Sequence, residues 1–157
     1  MVNFSKMNVN PVKLFNGSAG VLFLATAIAK LISACGTAAV LEIPDPILDI
    51  SFRHLLWITG TSELIVALFC IFGNRTNFPA WLVAWFATNF LVYRITFILA
   101  GYKKPCPCLG NITDVLHISQ KTADMAMKII LAYLLIGSYG ILFHLWRKRK
   151  AEGRMMK

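Results

Sequence analysis

In residues 54–72, HLLWITGTSELIVALFCIF, nineteen positions carry one formal charge, that of Glu63. As an α-helix this stretch rises roughly 28 Å, close to the thickness of a bilayer's hydrocarbon core. Residues 14–35, 79–102 and 125–146 repeat the pattern. Hydrophobic residues make up 57% of the 157-residue chain and charged residues 15%, with a mean hydropathy of +0.64. That is too apolar for an ordinary soluble domain. Only helices and closed barrels satisfy the backbone in lipid. The runs have helical length, so an all-α membrane protein is expected: a four-transmembrane-helix bundle forming a single integral-membrane domain over residues 1–157.

The connections are short. The first contains Ile43-Pro44-Asp45-Pro46, the second is the tight Gly73-Asn74-Arg75, and the third holds Cys106-Pro107-Cys108-Leu109-Gly110. Lys and Arg near the span ends set orientation. One side collects Lys6, Lys13, Arg75, Arg147, Lys148, Arg149, Lys150, Arg154 and Lys157; the other has Arg53, Lys103, Lys104 and Lys121. The excess predicts that both termini are cytoplasmic. The run Arg147-Lys148-Arg149-Lys150 directly follows a span, so it reads as a topological anchor rather than a nucleic-acid site. The net charge of +9 thus implies no nucleic acid, and the bilayer itself is the expected partner. Trp57, Trp81, Trp85 and Trp146 fall near span ends, where an interfacial aromatic belt belongs.

This orientation places Cys106 and Cys108 on the periplasmic side, where disulfides persist. Cys35 ends the first span on that side, while Cys70 lies on the other and reads as a small packing residue. Ile32-Ser33-Ala34-Cys35 resembles a lipobox, but Lys30 late in the apolar run argues against a cleaved signal, and the run is long enough to span. A disulfide wants Cα atoms roughly 4.4–6.8 Å apart, so a Cys106–Cys108 bond needs a tight bend, which Pro107 accommodates. Such a bond is strained and exchange-competent, and Lys103 and Lys104 favour its thiolates. The bland alternative is a static disulfide, with Cys35 stapled to one member of the pair. Two close thiols alone do not complete a metal site; His54 and His117 on the same side would add ligands, but they read as part of a helix end and of a short interfacial segment, and no metal is expected. His144 reads as interfacial. Asn111-Ile112-Thr113 matters as a glycosylation sequon only in a eukaryotic secretory pathway. Gly17 and Gly20 read as a close-packing face.

Three charges stand inside the first three spans: Lys30, Glu63 and Arg94. Counted from the periplasmic ends they lie roughly 9, 13 and 12 Å deep, so they share one layer beneath the Cys-Pro-Cys loop. Each alone costs about 2.5–3.5 kcal/mol at the helix centre, a penalty that a carboxylate grouped between two cations reduces. The layer reads either as a structural ion-pair network or as an electropositive pocket that polarises a bound group. Thr59, Thr61, Ser62, Asn89 and Tyr93 supply hydrogen bonds at neighbouring depths.

Ala29-Lys30-Leu31 near the end of the first span, Glu63 in the second, and Cys106-Pro107-Cys108-Leu109-Gly110 before the fourth together resemble the MauE/DoxX-like four-span membrane family. The resemblance implies a bacterial inner-membrane protein of the methylamine-utilisation MauE type. Such proteins are linked to maturation of a disulfide-rich dehydrogenase subunit and to assistance of disulfide formation. The expected function is therefore thiol–disulfide oxidoreduction. Cys106 and Cys108 are its catalytic pair, Cys35 a relay, and an exported dithiol or disulfide protein its partner. Electrons are expected to pass to or from a membrane quinone, or another carrier, held by Lys30, Glu63 and Arg94. The rival is a non-catalytic assembly factor or small-molecule binder with structural cysteines. A channel or transporter is disfavoured by the absence of visible inverted repeats.

Overall fold

The computed structural model describes residues 11–37, 39–45, 47–73, 78–100 and 119–155. Four helices carry the fold: α1 (Pro11–Ala34), α2 (Phe52–Phe72), α3 (Phe78–Leu99) and α4 (Gln120–Met155). All four are long and apolar enough to cross a membrane. The all-α, four-span expectation holds. Helix starts carry recognisable chemistry. Pro11 and Pro79 sit in first turns, where a missing N–H costs nothing. Ser119 accepts the Thr122 amide at 3.2 Å as an N-cap of α4. That cap begins α4 five residues before the apolar run at residue 125, and the helix continues through the basic segment to Met155.

The chain folds as two helical hairpins. α1 lies along α2 and α3 lies along α4, with sparser contacts between the hairpins. Ala19, Ala27 and Ala67 are fully buried, which brings the α1 and α2 backbones close. At Gly20 a β-carbon would lie 2.9 Å from Ile71 Cγ1 and 3.0 Å from Cys70 Cβ, whereas Gly17 faces open space. The expected small-residue face therefore works through Gly20 and the alanines. Phe15, Phe23, Val66, Cys70, Val83 and Leu134 join the hairpins in one core. Most of these residues occupy the half of the bundle where α1 begins and α2 ends, called here the terminal half, and Phe23 and Leu134 also border a cavity in the other half. Cys70 is a buried packing residue within it.

At the other end, where α1 stops and α2 starts, the connection is itself folded. A short 3-10 turn (Ala39–Glu42) buries Leu41 against Ala34 and Leu56. The Asp45 amide donates to Ile50 O at 2.7 Å, and the Phe52 amide donates to Ile43 O at 3.1 Å. Asp45 Oδ1 accepts the Ile47 and Leu48 amides at 2.9 and 3.0 Å, an Asx-type turn. Arg53 clamps the structure. It donates to Ala34 O and Gly36 O at 2.9 and 3.1 Å, satisfying carbonyls that the end of α1 leaves orphaned, and it pairs with Glu42 at 2.8 Å.

Candidate functional site

In the half near this folded connection, here the loop half, the hairpins line a partly open cavity of about 290 Å³. Its size and mostly apolar walls match a small-molecule site. α1 contributes Thr26 and Lys30, α2 contributes Phe52, Leu56, Thr59 and Glu63, α3 contributes Asn89, Phe90, Tyr93 and Arg94, and α4 contributes Met127, Ile130 and Leu134. Leu48 reaches in from the α1–α2 connection. All three residues expected to share a layer thus line one chamber.

Their pairing departs from the expected arrangement. Lys30 and Glu63 form a salt bridge, both almost completely buried. Lys30 Nζ also stands 4.7 Å from the centre of the Phe90 ring, a cation–π distance. Arg94 does not share Glu63. It pairs with Asp124 of α4, which also accepts Lys128 at 2.8 Å. The reason is the earlier start of α4, which places an acid opposite Arg94 inside the helical pair. The carboxylate-between-two-cations grouping is therefore replaced by two separate ion pairs around one cavity. Glu63 Oε2 is buried without a hydrogen-bond donor. The Thr26 hydroxyl lies beside that carboxylate, but its hydrogen is directed to Leu22 O and Phe23 O, both at 3.1 Å.

Most of the expected hydrogen-bonding side chains are spent on their own helices. Thr59 donates to Leu55 O at 2.7 Å, Thr61 to Trp57 O at 2.8 Å, Ser62 to Thr59 O at 2.9 Å and Asn89 to Trp85 O at 2.8 Å. These bonds satisfy hydroxyls and amides in an apolar setting. Tyr93 differs: its hydroxyl donates to Asp45 Oδ2, joining α3 to the α1–α2 connection. Asp45 is itself 1% exposed.

The family model for the methylamine utilisation protein MauE matches residues 11–147. The chain belongs to the MauE family. No curated protein and no solved structure matches it. The family resemblance read from Ala29-Lys30-Leu31, Glu63 and the Cys-Pro-Cys loop is thus borne out, and this MauE-family protein is a multi-pass membrane protein implicated in methylamine utilisation. The matched region takes in every cavity-lining residue and both helix ends that flank residues 101–118.

In this MauE-family chain Cys106, Cys108 and His117 lie outside the described residues. Cys35 is an exposed free thiol just past the end of α1, at the loop end of the bundle. His54 bonds Ser51 Oγ through Nδ1 at 2.6 Å at the start of α2. Among the described residues no cluster of His, Cys, Asp or Glu could hold a metal ion. Two acidic residues at the site escaped sequence reasoning. Asp124 carried a signal, since an acid four residues before Lys128 suits a helix face. Asp45 carried only its place between two prolines.

Proposed function

We propose that this MauE-family protein is a bacterial inner-membrane thiol–disulfide redox protein. Both termini lie in the cytoplasm, and the Cys106–Cys108 pair faces the periplasm. A thiolate of an exported dithiol partner attacks one sulfur of the Cys106–Cys108 disulfide and displaces the other as a thiolate. The partner's second thiol then resolves the mixed disulfide. The partner loses two electrons and two protons, and the pair becomes a dithiol. Cys35, at the same end of the bundle, is the relay thiol. One observation carries this reading. The chamber lined by Lys30, Glu63 and Arg94 lies at the end of the bundle where α3 finishes and α4 begins, the helices that residues 101–118 connect.

The chamber residues fit a quinone head group. The walls are apolar, Phe90 offers a ring face, and Lys30 and Arg94 are cationic donors for carbonyl oxygens. A bound quinone supplies an acceptor for the two electrons and two protons. This chain's own residues hold its ring, exclude water and keep the neighbouring charges paired. The test is Cys106→Ser and Cys108→Ser, scored by partner oxidation with the protein still inserted at normal abundance. Loss of partner oxidation is expected from each, and retention in both removes the redox reading.

One observation favours the rival, a non-catalytic assembly factor. Lys30, Glu63, Arg94 and Asp124 are already paired with one another. In that reading their substitution, like that of the structural cysteines, lowers abundance and leaves the function of the protein that remains inserted unchanged. Acid trapping of the thiols in cells separates the two. A mixed, reductant-responsive Cys106–Cys108 population belongs to the redox protein, and a single resistant form belongs to the rival.

A further inference from the structure

The ion pairs follow the hairpins. Lys30–Glu63 ties α1 to α2, and Arg53–Glu42 ties α2 to the turn behind α1. Arg94–Asp124 ties α3 to α4. None of these crosses from one hairpin to the other. Each hairpin is therefore locked internally by charge, and the two meet through softer contacts.

Those contacts are distributed unevenly along the bundle. In the terminal half the hairpins share a packed core, with Phe15 and Leu134 in the same cluster. A β-carbon on Gly137 would lie 2.1 Å from Phe15 Cε2, so α1 and α4 pack there without room to spare. Ser18 and Tyr133 hydroxyls, 2.6 Å apart, add a bond at that level. In the loop half the interior is the cavity instead. Across it, among the described residues, the Lys30–Phe90 contact and Tyr93 donating to Asp45 join the hairpins, and Phe97 is buried near the end of α3. The second joins α3 to a connection whose backbone is already self-bonded, so the connection moves with α1 and α2 as one body.

We infer that the two hairpins part at the loop half about the packed terminal half, with Tyr93–Asp45 as the latch, and that this parting widens the partly open cavity sideways for a lipid-borne ligand. The inference rests on the reading of the cavity as a ligand site. It also specifies the ligand class: a compact polar head on an apolar tail, entering from the bilayer rather than from water. A wall of Met127, Ile130 and Leu134 suits the tail, and the Lys30 and Arg94 side suits the head.

The experiment is double electron–electron resonance on the full chain in nanodiscs, without ligand. Labels are attached through p-acetylphenylalanine so that native thiols stay untouched. Positions 57 and 95, both lipid-accessible at 43% and 46% exposure, span the hairpins in the loop half. Positions 68 and 85 span them in the terminal half and serve as the control. Tyr93→Phe removes the latch proton and keeps the ring. The expected result is a second, longer-distance population between 57 and 95 in Tyr93→Phe, with the 68–85 distance unchanged. An unchanged 57–95 distribution overturns the inference, and so does a parallel change at 68–85, which would mean general loosening. Ligand binding is read separately, as a shift in thermal unfolding with decyl-substituted benzoquinone. If the probe gives no shift while the distances change as expected, the quinone reading fails and the hinge stands. If it binds and the distances do not change, the hinge fails and the quinone reading stands.

Discussion

Glu63 and Lys30 sit where neither would be tolerated alone. Each is nearly inaccessible, and each has the other as its counter-charge. Removing one partner of a buried pair leaves an uncompensated charge, typically at a cost of about 3–5 kcal/mol, whereas replacing both with apolar groups of similar volume is often neutral. Lys30→Met and Glu63→Leu are each expected to reduce folded protein strongly, and the double variant to recover most of it. Fluorescence-detected size exclusion after a heat step reads this directly. A double variant as poor as the singles would mean that the charges do more than neutralise each other. Asp45 solves a comparable burial problem with no salt bridge among the described residues. Two backbone amides and the Tyr93 hydroxyl satisfy its carboxylate.

Among the elements, α4 contributes least burial. Its apolar span is 11% buried, against 39% for α1. What fixes it is local: Asp124 on Arg94, Tyr139 on Thr88 at 2.9 Å, and the close approach of Gly137 to Phe15. A methyl at Gly137 must displace a buried ring, and overpacking of this kind costs about 1–3 kcal/mol. Gly140, one turn on, has nothing within 4 Å of its would-be β-carbon, as does Gly17 on α1. Gly137→Ala is therefore expected to lower the melting temperature. Gly140→Ala and Gly17→Ala are expected to leave it equal or raise it, since alanine is the better helix former by about 1 kcal/mol. Equal melting of all three variants would mean that α1 and α4 do not meet at Gly137.

Element boundaries mark how far sequence reasoning carried. Apolar length is enough to place four spans, because each run is set by the thickness it must cross and not by its neighbours. The depth match of Lys30 and Glu63 was likewise legible, since rise per residue fixes depth. Helix rotation is not encoded in a run that is apolar all round, and rotation is what turned Arg94 toward α4. Helix α4 starts ahead of the apolar run at residue 125, and Lys121 and Asp124 look like loop residues in the sequence because only the folded chain shows Ser119 capping them. Asp45 was illegible for a related reason: its partners assemble only once the connection folds. The cysteine pair stood out by composition and spacing alone, and its geometry lies outside the described residues.

For the molecule as a whole, orientation is the property on which the redox reading depends. The cationic residues of the α2–α3 turn and of the chain termini outnumber those at the opposite end. A C-terminal fluorescent-protein fusion is expected to be bright. An alkaline phosphatase inserted between residues 101 and 118 is expected to be active, because that enzyme needs its disulfides formed outside the cytoplasm. The reverse pattern would place the cysteines in a reducing compartment and end the case for disulfide exchange.

α4 runs unbroken for 36 residues, and beyond the cavity its surface is stiffened by Arg147 over Phe143 and Lys150 over Trp146. A continuous helix is a rod, and Gly137 against Phe15 gives that rod a fulcrum near its middle. A tilt of about 10° at the cavity would sweep the far tip through ~5 Å, given the rise per residue of an α-helix. If the hairpins part as inferred, the basic end of α4 would therefore move with the chamber wall, and its position would report on the cavity.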